Sequence, residues 1–319
     1  MGKASRSKYE STRQAKIAAQ REAAKRSEQR RRLFFAVGGI VVVVAVVLTF
    51  VLVKLNSKPG TATASSEGPT GAALASLVTQ VTAVPPATLD TIGGGSISSS
   101  DIGPGTATNS SYLAPVSGST LTSGGKPEML YVGAEYCPFC AAERWAMIVA
   151  LTRFGTFSGL TTTHSSSSDT DPNTPTFTFY GSTYTSQYLN FTAVETTKNY
   201  RQGNSTSQTV PYVPLQTPTS AQQALLTKYD PGNGSGGPIP FIDIGNQYVQ
   251  VGDLAGLDPA TLDGLTWSQI GADLSNPSSS IAKEIDGSAN YLTAAICKLT
   301  GNQPASACTS AVKALEAKL

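Results

Sequence analysis

The chain has 319 residues, which allows one large domain or two ordinary ones, and its 40% hydrophobic residues are enough to build a core. Residues 1–33 carry eleven Lys and Arg against three Glu, a net charge of +8, whereas the remainder carries a net charge of −6. A basic nucleic-acid-binding domain is therefore disfavoured, and we expect no nucleic-acid partner. The single histidine excludes any metal site that needs several histidine ligands.

The first predicted element is a membrane anchor. Residues 33–53 form a run of 21 residues without a charge or a proline. At about 1.5 Å per residue, a helix of this length spans about 31 Å, the thickness of the hydrocarbon core of a bilayer. Most nearby basic residues precede the run, which by the positive-inside rule places the N-terminus in the cytoplasm. We therefore predict a single-pass protein of the cell membrane with an extracytoplasmic C-terminal part, although Ala62-Thr63-Ala64 leaves open a cleavage site after the anchor.

Changes in charge and composition divide the chain into four predicted segments. These are a basic cytoplasmic arm (1–32), the transmembrane helix (33–53), a flexible Gly/Ser/Thr-rich linker (54–73) and an extracytoplasmic domain (74–319). The domain is expected to begin with a helix, because Leu74, Leu77 and Val81 recur at helical spacing before Pro85 and Pro86. Residues 93–105 are rich in Gly and Ser and predict a loop.

The most informative motif is Cys137-Pro138-Phe139-Cys140. Apolar residues 129–132 predict a buried strand before it, and an apolar face over residues 145–152 predicts a helix after it. A C-x-x-C motif at such a junction places the first sulfur at the helix N-terminus, where unpaired backbone N–H groups and the helix dipole favour an anion. We therefore expect Cys137 to be a nucleophilic thiolate with a pKa below that of an ordinary cysteine. Cys140 is expected to be the resolving thiol.

Two other interpretations of the motif stay open. A structural zinc site would need Cys297 and Cys308 as the other ligands, and the ten residues between them are unlike the spacing of a zinc knuckle. A purely structural disulfide is the second alternative. We predict no metal ion and no cofactor.

The segment from Ala134 to Cys140 (AEYCPFC) resembles the active-site segment of thioredoxin-like proteins, in which an aromatic residue precedes the first cysteine. A longer segment that starts with these residues resembles the membrane-anchored prokaryotic family called domain of unknown function 929. It runs through Glu143-Arg144-Trp145 and Arg153-Phe154-Gly155 to Asn173-Thr174-Pro175-Thr176-Phe177. This resemblance covers about residues 74–319. It implies a thioredoxin-like fold and thiol–disulfide exchange, without a particular substrate.

A second thioredoxin-like feature is the proline directly before an apolar strand in Ile239-Pro240-Phe241. It resembles the cis-proline loop of that family, which faces the active cysteines. A cis X-Pro bond leaves the preceding backbone groups free to pair with an extended substrate strand. The resemblance therefore implies a substrate groove formed by residues beside both motifs: Tyr136, Pro138, Phe139, Ile239 and Pro240.

The sequence departs from thioredoxins at one position. Thioredoxins keep a buried acid on the strand six residues before the first cysteine, where it helps to move the proton of the resolving thiol, and here that position is Tyr131. Glu135 and Glu143 are the nearby carboxylates and the candidate proton acceptors. The alternative is that Glu143 pairs with Arg144 or solvent and that Glu135 is simply exposed.

The rest of the domain predicts an insertion and extra helices. Between Cys137 and Pro240 lie 102 residues, in which aromatic residues predict a strand pair around Gly181 and residues 220–229 predict a helix. After Pro240 we expect two strands (241–244 and 248–251) and three helices (259–275, 281–299 and 308–319). The predicted fold is therefore α/β: thioredoxin-like, with a β-rich insertion and extra C-terminal helices, preceded by a single transmembrane helix.

Cys297 and Cys308 flank the turn between the last two predicted helices. In an oxidising compartment this spacing predicts a structural disulfide. A redox relay that passes electrons to the first cysteine pair is the alternative.

These observations predict a membrane-tethered extracytoplasmic thiol–disulfide oxidoreductase that acts on protein disulfides through Cys137 and Cys140. Its expected partners are thiols and disulfides of secreted or membrane proteins, an unknown redox partner and the lipid bilayer. The alternative is a non-catalytic thioredoxin-like subunit that binds or assembles a complex of the cell envelope.

Overall fold

The computed structural model describes residues 68–106, 111–230 and 237–319, which belong to one compact unit, Ala64–Leu319. The predicted arm (1–32), the predicted transmembrane helix (33–53) and most of the predicted linker (54–73) lie outside the described residues.

A search of the described residues finds no single helix that is long and apolar enough to cross a bilayer. Two short helices, Gly71–Thr82 and Pro86–Ile92, reach the required length and hydropathy only together, and they are bent by 55° relative to each other.

The fold is mixed α/β, with a six-stranded sheet and several helices. The strands are β1 (Tyr112–Pro115), β2 (Thr122–Ser123), β3 (Lys126–Gly133), β4 (Gly155–Ser158), β5 (Thr161–His164), β6 (Pro175–Thr178), β7 (Thr183–Ser186), β8 (Asn190–Glu195), β9 (Thr197–Arg201), β10 (Tyr212–Pro214), β11 (Phe241–Ile244) and β12 (Tyr248–Val251). The α-helices are α1 (Gly71–Thr82), α2 (Pro86–Ile92), α3 (Pro138–Thr152), α4 (Ser220–Tyr229), α5 (Trp267–Asp273), α6 (Ser280–Leu299) and α7 (Ser310–Glu316). Short 3-10 helices cover Ser99–Asp101, Gln202–Asn204 and Pro259–Leu262.

Strand β3 lies in the middle of the sheet and is paired on both sides. β8 runs parallel to it, and the register places Glu195 opposite Gly133, at the end of β3 where the C-x-x-C segment begins. β11 runs antiparallel to β3 on the other side, and β12 and then β1 continue the sheet in antiparallel pairs. The short β2 pairs with the start of β3. This register brings residues from the β-rich insertion next to the cysteine motif.

Helix α3 follows the motif and is buried over almost its whole length. Residues 140–151 are all buried, because the helix packs against α6, against β6 of the insertion and against α1. A helix that is covered on all sides is typical of a protein core, and its apolar composition provides the required surface. Glu143 and Arg144 are charged exceptions inside this core. The predicted strand before the motif and the predicted helix after it are both confirmed.

The predicted strand pair around Gly181 is wrong. β6 and β7 flank Gly181, but β6 pairs with β5 and β7 pairs with β4. Residues 155–186 therefore form one long interrupted hairpin that turns at residues 165–174. The physical reason is an aromatic cluster in which Phe157, from the first arm, packs on Phe179 and Tyr184 of the second arm. The strand pair was predicted from the aromatic residues within 177–194, and this segment does not include the first arm of the observed hairpin.

Most predicted C-terminal elements are confirmed, with one exception. β11 and β12 have the predicted bounds, and α6 covers the predicted second helix. The single helix predicted over residues 259–275 is wrong, because Gly264 has a positive φ of 69° and breaks it. A 3-10 helix precedes the break, and α5 begins after it with the side chain of Thr266 as its N-cap. At the N-terminal end, α1 starts at Gly71, inside the predicted linker, and Pro86 begins the further helix α2.

The disulfide between Cys297 and Cys308 is confirmed. It joins α6 to the segment that precedes α7, with a Cα–Cα distance of 5.7 Å. Both cysteines are buried in the main apolar core, so the bond holds the two C-terminal helices together from the inside.

Candidate functional site

The first cysteine of the motif caps helix α3. Cys137 has an extended backbone (φ −76°, ψ 122°), and its sulfur accepts a hydrogen bond from the backbone N–H of Cys140 at 3.3 Å. Pro138 occupies the first helical position, where its lack of an N–H costs nothing. The expected placement of the first sulfur at a helix N-terminus is therefore confirmed. Both cysteines are unbonded thiols in this structure.

The proline loop reaches the same sulfur from the other side. The Ile239–Pro240 peptide bond is cis, as predicted from the sequence. The Cys137 thiol donates to the Ile239 carbonyl oxygen at 3.6 Å, and the Pro240 carbonyl accepts from the Gly252 N–H. Two motifs separated by more than one hundred residues in sequence thus meet at one sulfur atom. This contact brings together four of the predicted site residues: Cys137, Cys140, Ile239 and Pro240.

The rim of the site combines an exposed phenylalanine with a stack of side chains. Phe139 is 36% exposed, one of few large apolar side chains at the surface of the described residues. Tyr136 stacks on Tyr212 of β10, with the ring centroids 4.0 Å apart. Arg201 covers the other face of Tyr212, with its guanidinium carbon 4.0 Å from the ring centroid. Tyr136 and Phe139 were expected at the site. Sequence reasoning missed Tyr212 and Arg201, because only the β9–β10 pairing brings them there.

The expectation of a low Cys137 pKa is wrong for this structure. Cys137 is only 3% exposed, and burial raises the pKa of its thiol well above the ordinary range. The neighbouring Cys140 thiol acts in the same direction. The backbone N–H of Cys140 and the charge of Arg144 lower the pKa, but less than burial raises it. The helix N-terminus is present, yet loss of solvent outweighs it.

A buried ion pair lies under the dithiol and was missed at the sequence level. Arg144 donates to Glu195 from Nε at 2.8 Å and from Nη2 at 2.8 Å, and Nη2 also donates to the Ala134 carbonyl at 2.7 Å. Both side chains are fully buried. Glu195 holds the pKa of Arg144 well above its ordinary value despite the burial. The proposed pairing of Glu143 with Arg144 is therefore wrong, because the Arg144 side chain points to β8 instead.

Tyr131 of β3 lies close to the second cysteine of the motif. A Cβ atom at Gly133 would lie 3.1 Å from the Cys140 sulfur and would clash with the Tyr131 hydroxyl. The ring packs edge-on against Phe179 of the insertion, with the centroids 5.4 Å apart. Burial raises the pKa of Tyr131 well above its ordinary value, so its hydroxyl remains protonated at neutral pH.

The two candidate proton acceptors, Glu135 and Glu143, are both buried, and each has other polar side chains as neighbours. The Glu143 carboxylate accepts from Ser288 of α6 at 3.3 Å, and burial raises its pKa to about 8. Burial also raises the pKa of Glu135, which is close to Thr178 and Arg144. Among the described residues, neither carboxylate is hydrogen-bonded to a cysteine sulfur of the motif. The alternative prediction that Glu135 is simply exposed is wrong.

The described part of the chain contains no group of three or more His, Cys, Asp or Glu side chains arranged to hold a metal ion. What the arrangement offers instead is a pair of adjacent thiols, a backbone carbonyl beside the first and a buried cation and phenol beside the second. Such groups are suited to exchange of a disulfide bond.

Comparison with known families and proteins adds one assignment. Residues 112–298 match the family described as a domain of unknown function (DUF929). This match covers more than half of the chain and includes the dithiol, the buried ion pair and the proline loop. No curated protein and no solved structure has significant similarity to the chain. The chain therefore belongs to the DUF929 family.

Proposed function

We propose that this protein is a thiol–disulfide oxidoreductase with a thioredoxin-like fold that is tethered to the membrane and acts outside the cytoplasm. The observation that carries the proposal is the meeting of three groups at one point. The Cys137 sulfur lies at the N-terminus of α3, next to the N–H of Cys140 and the carbonyl that precedes a cis-proline. Each group has a use in disulfide exchange.

The order of the elements supports a thioredoxin-like fold. β3, α3 and β8 form a unit of two parallel strands with a connecting helix, and the cysteine motif follows β3. The cis-proline precedes β11, which is antiparallel to β3, and β12 completes the hairpin. Thioredoxin-like proteins combine these same features. The long hairpin at residues 155–186 and the helices after β12 are then additions to that core.

In the proposed reaction, the Cys137 thiolate attacks one sulfur of a substrate disulfide. A mixed disulfide forms on Cys137, and the other substrate sulfur leaves as a thiolate. Cys140 then attacks the Cys137 sulfur, the second substrate thiolate leaves, and a Cys137–Cys140 disulfide remains. Two electrons pass to the substrate, whose two sulfurs take up protons. A dithiol reductant must return the protein to its reduced state, and the reverse sequence oxidises a substrate dithiol.

The location outside the cytoplasm rests on two observations. The apolar run at residues 33–53 follows a strongly basic arm, which predicts a cytoplasmic N-terminus. The disulfide between Cys297 and Cys308 is a bond that persists in oxidising compartments and is rare in the cytosol. Clients of the enzyme would therefore be secreted proteins or the external parts of membrane proteins.

The proposal is tested by catalysis of disulfide reduction. The full-length protein is incubated with a fluorogenic peptide disulfide and a small dithiol as reductant, and turnover is compared between the wild type and Cys137→Ser. We expect turnover by the variant to fall to the rate of the dithiol alone, because serine cannot form the mixed disulfide. The matched control is Cys297→Ala with Cys308→Ala, which removes the other pair. Equal turnover in the wild type and Cys137→Ser would refute the proposal.

The burial of Cys137 favours a second candidate function, a non-catalytic binding or assembly subunit. A thiol that is 3% exposed with a raised pKa is a weak nucleophile. This candidate predicts no turnover by the wild type. The enzyme proposal instead requires that docking of a substrate exposes the Cys137 sulfur.

A further inference from the structure

Two buried hydrogen-bond donors beside the dithiol lack a partner among the described residues. They are the hydroxyl of Tyr131 and Nη1 of Arg144. Both side chains are fully buried. Buried polar groups in folded proteins are nearly always hydrogen-bonded, so an unpartnered donor requires an explanation. Here the two are neighbours, with the Arg144 guanidinium carbon 5.9 Å from the centre of the Tyr131 ring.

The side chains that carry the two donors lie close enough to Cys140 to interact with it electrostatically. The Tyr131 hydroxyl and the Cys140 sulfur face the same small space over Gly133, which has room for no side chain. Arg144 follows Cys140 by four residues on α3, so the two side chains lie one turn apart on the same face. Cys140 itself is fully buried. A negative charge on its sulfur would therefore find these two donors without competition from solvent.

Glu195 fixes the orientation of the guanidinium. The Glu195 carboxylate accepts hydrogen bonds from Nε and Nη2 of Arg144, and the Ala134 carbonyl oxygen also accepts from Nη2. Nη1 is then the guanidinium nitrogen that has no partner among the described residues. The register of β8 against β3 places Glu195 at this point. Glu195 is therefore a positioning residue, which acts through Arg144.

We propose that Tyr131 and Arg144 form an anion hole for the thiolate of Cys140, the species that completes disulfide exchange. This inference rests on the proposed function. It also explains why a tyrosine occupies the strand position where thioredoxins keep an acid: the site stabilises the product of deprotonation instead of accepting the proton. Donors placed where charge develops are an efficient form of electrostatic stabilisation.

The proton and the electrons balance in this scheme. Cys137 attacks R–S–S–R′ and releases R′–S⁻, and the proton of Cys140 passes to R′–S⁻ or, where R′–S⁻ is a weakly basic aromatic thiolate, to water. The Cys140 thiolate accepts hydrogen bonds from the Tyr131 hydroxyl and from Nη1 of Arg144. It then attacks the Cys137 sulfur, the bond from Cys137 to R–S breaks, and R–S⁻ leaves and is protonated by water. Two electrons have moved from the dithiol to the substrate.

The charges around Cys140 agree with this role. The titratable groups that face it are Cys137, Tyr131, Tyr136 and Arg144, with Glu195 behind the arginine. Arg144 is the cation of this set. Burial raises the pKa of Tyr131, which keeps its hydroxyl a donor at neutral pH.

A two-phase release assay tests the inference. Reduced full-length protein is mixed with an aromatic nitrothiobenzoate disulfide, which releases one coloured thiolate when Cys137 attacks and a second when Cys140 resolves the mixed disulfide. The rates of both phases are measured against pH in the wild type, Tyr131→Phe and Arg144→Lys. Tyr291→Phe is the matched control, because Tyr291 is equally buried but lies on α6.

We expect the ratio of second-phase to first-phase rate at pH 7 to fall about tenfold in Tyr131→Phe, which equals a shift of about one pH unit in the second-phase profile. Tyr291→Phe should behave as the wild type. The same ratio and the same profile in Tyr131→Phe would overturn the inference, and this conservative variant decides the matter even if Arg144→Lys fails to fold. Absence of the first phase in the wild type is a different result, which would overturn the proposed function as well.

Discussion

The two cysteine pairs of this chain are equally buried and differ in what surrounds them. Cys297 and Cys308 are bonded to each other and lie in the main apolar core between α6 and α7. Cys137 and Cys140 are free thiols at the end of β3. A backbone carbonyl, a helix N-terminus, a phenol and a paired arginine surround them.

This difference teaches that burial does not separate a structural cysteine pair from a reactive one. All four cysteines are at most 4% exposed. The distinguishing feature is the chemistry of the neighbours: Cys297 and Cys308 belong to the main apolar core, whereas the other pair is next to unpartnered donors.

The largest expected effect on stability is at the ion pair beside Cys137 and Cys140. Glu195→Ala removes the partner of a fully buried arginine, and an uncompensated buried charge destabilises a protein by about 3–5 kcal/mol. We expect a loss of this size in the free energy of unfolding, measured by urea denaturation of the full-length protein. A double replacement, Arg144→Met with Glu195→Leu, should recover most of it. A loss below about 1 kcal/mol in Glu195→Ala would show that the pair is solvated.

A slightly smaller effect on stability is expected from the loss of the disulfide in the apolar core. Cys297→Ala with Cys308→Ala removes a bond between residues eleven positions apart, which in the chain-entropy estimate lowers stability by about 3 kcal/mol. Alanine keeps the site apolar. The melting temperature should fall while turnover below it is retained. Abolished turnover at unchanged stability would instead support a redox relay between the two pairs.

Between the two regions lies Glu143, whose pKa burial raises from 4.5 to about 8. The folded protein thus holds this proton over a range in which the unfolded chain has lost it. The contribution of this group to stability is greatest below about pH 4.5 and declines as the pH rises toward 8. Glu143→Gln should flatten that decline in denaturation curves recorded at several pH values. An unchanged slope would mean that the carboxylate ionises freely in the folded state.

The smallest effect concerns the rate of a single reaction. Because burial raises the pKa of Cys137 well above 9.0, its alkylation by iodoacetamide should still accelerate with pH at pH 9. Mass mapping of the labelled peptide follows this residue alone. A plateau of the rate below pH 8 would show that the helix N-terminus dominates over burial after all.

The sequence predicts the local part of the site well. Strand β3, the helix after it and the cap position of Cys137 all follow from short motifs with strong local signals. The cis bond at Pro240 agrees with the resemblance to the cis-proline loop of thioredoxin-like proteins. The disulfide between Cys297 and Cys308 follows from their spacing around a turn. Each of these features depends on residues that are close together in the sequence.

The parts that could not be predicted depend on pairing between distant segments. Glu195 reaches Arg144 only through the register of β8 on β3, and nothing in the residues around Glu195 indicates it. Arg144 does carry a signal, since it follows Cys140 by one helical turn. The expectation of a low pKa for Cys137 was wrong for a similar reason. The local sequence indicates the helix N-terminus but not how much of the chain buries the Cys137 sulfur.

A redox titration that follows both pairs at once tests the central contrast most directly. The full-length protein is equilibrated with reduced and oxidised glutathione over a wide range of ratios, free thiols are trapped by acid and alkylation, and each pair is mapped by mass spectrometry. We expect Cys137 and Cys140 to pass between dithiol and disulfide as one two-electron couple, while the bond between Cys297 and Cys308 persists throughout. If both pairs are reduced together, or if Cys137 and Cys140 never form a bond, the account is contradicted.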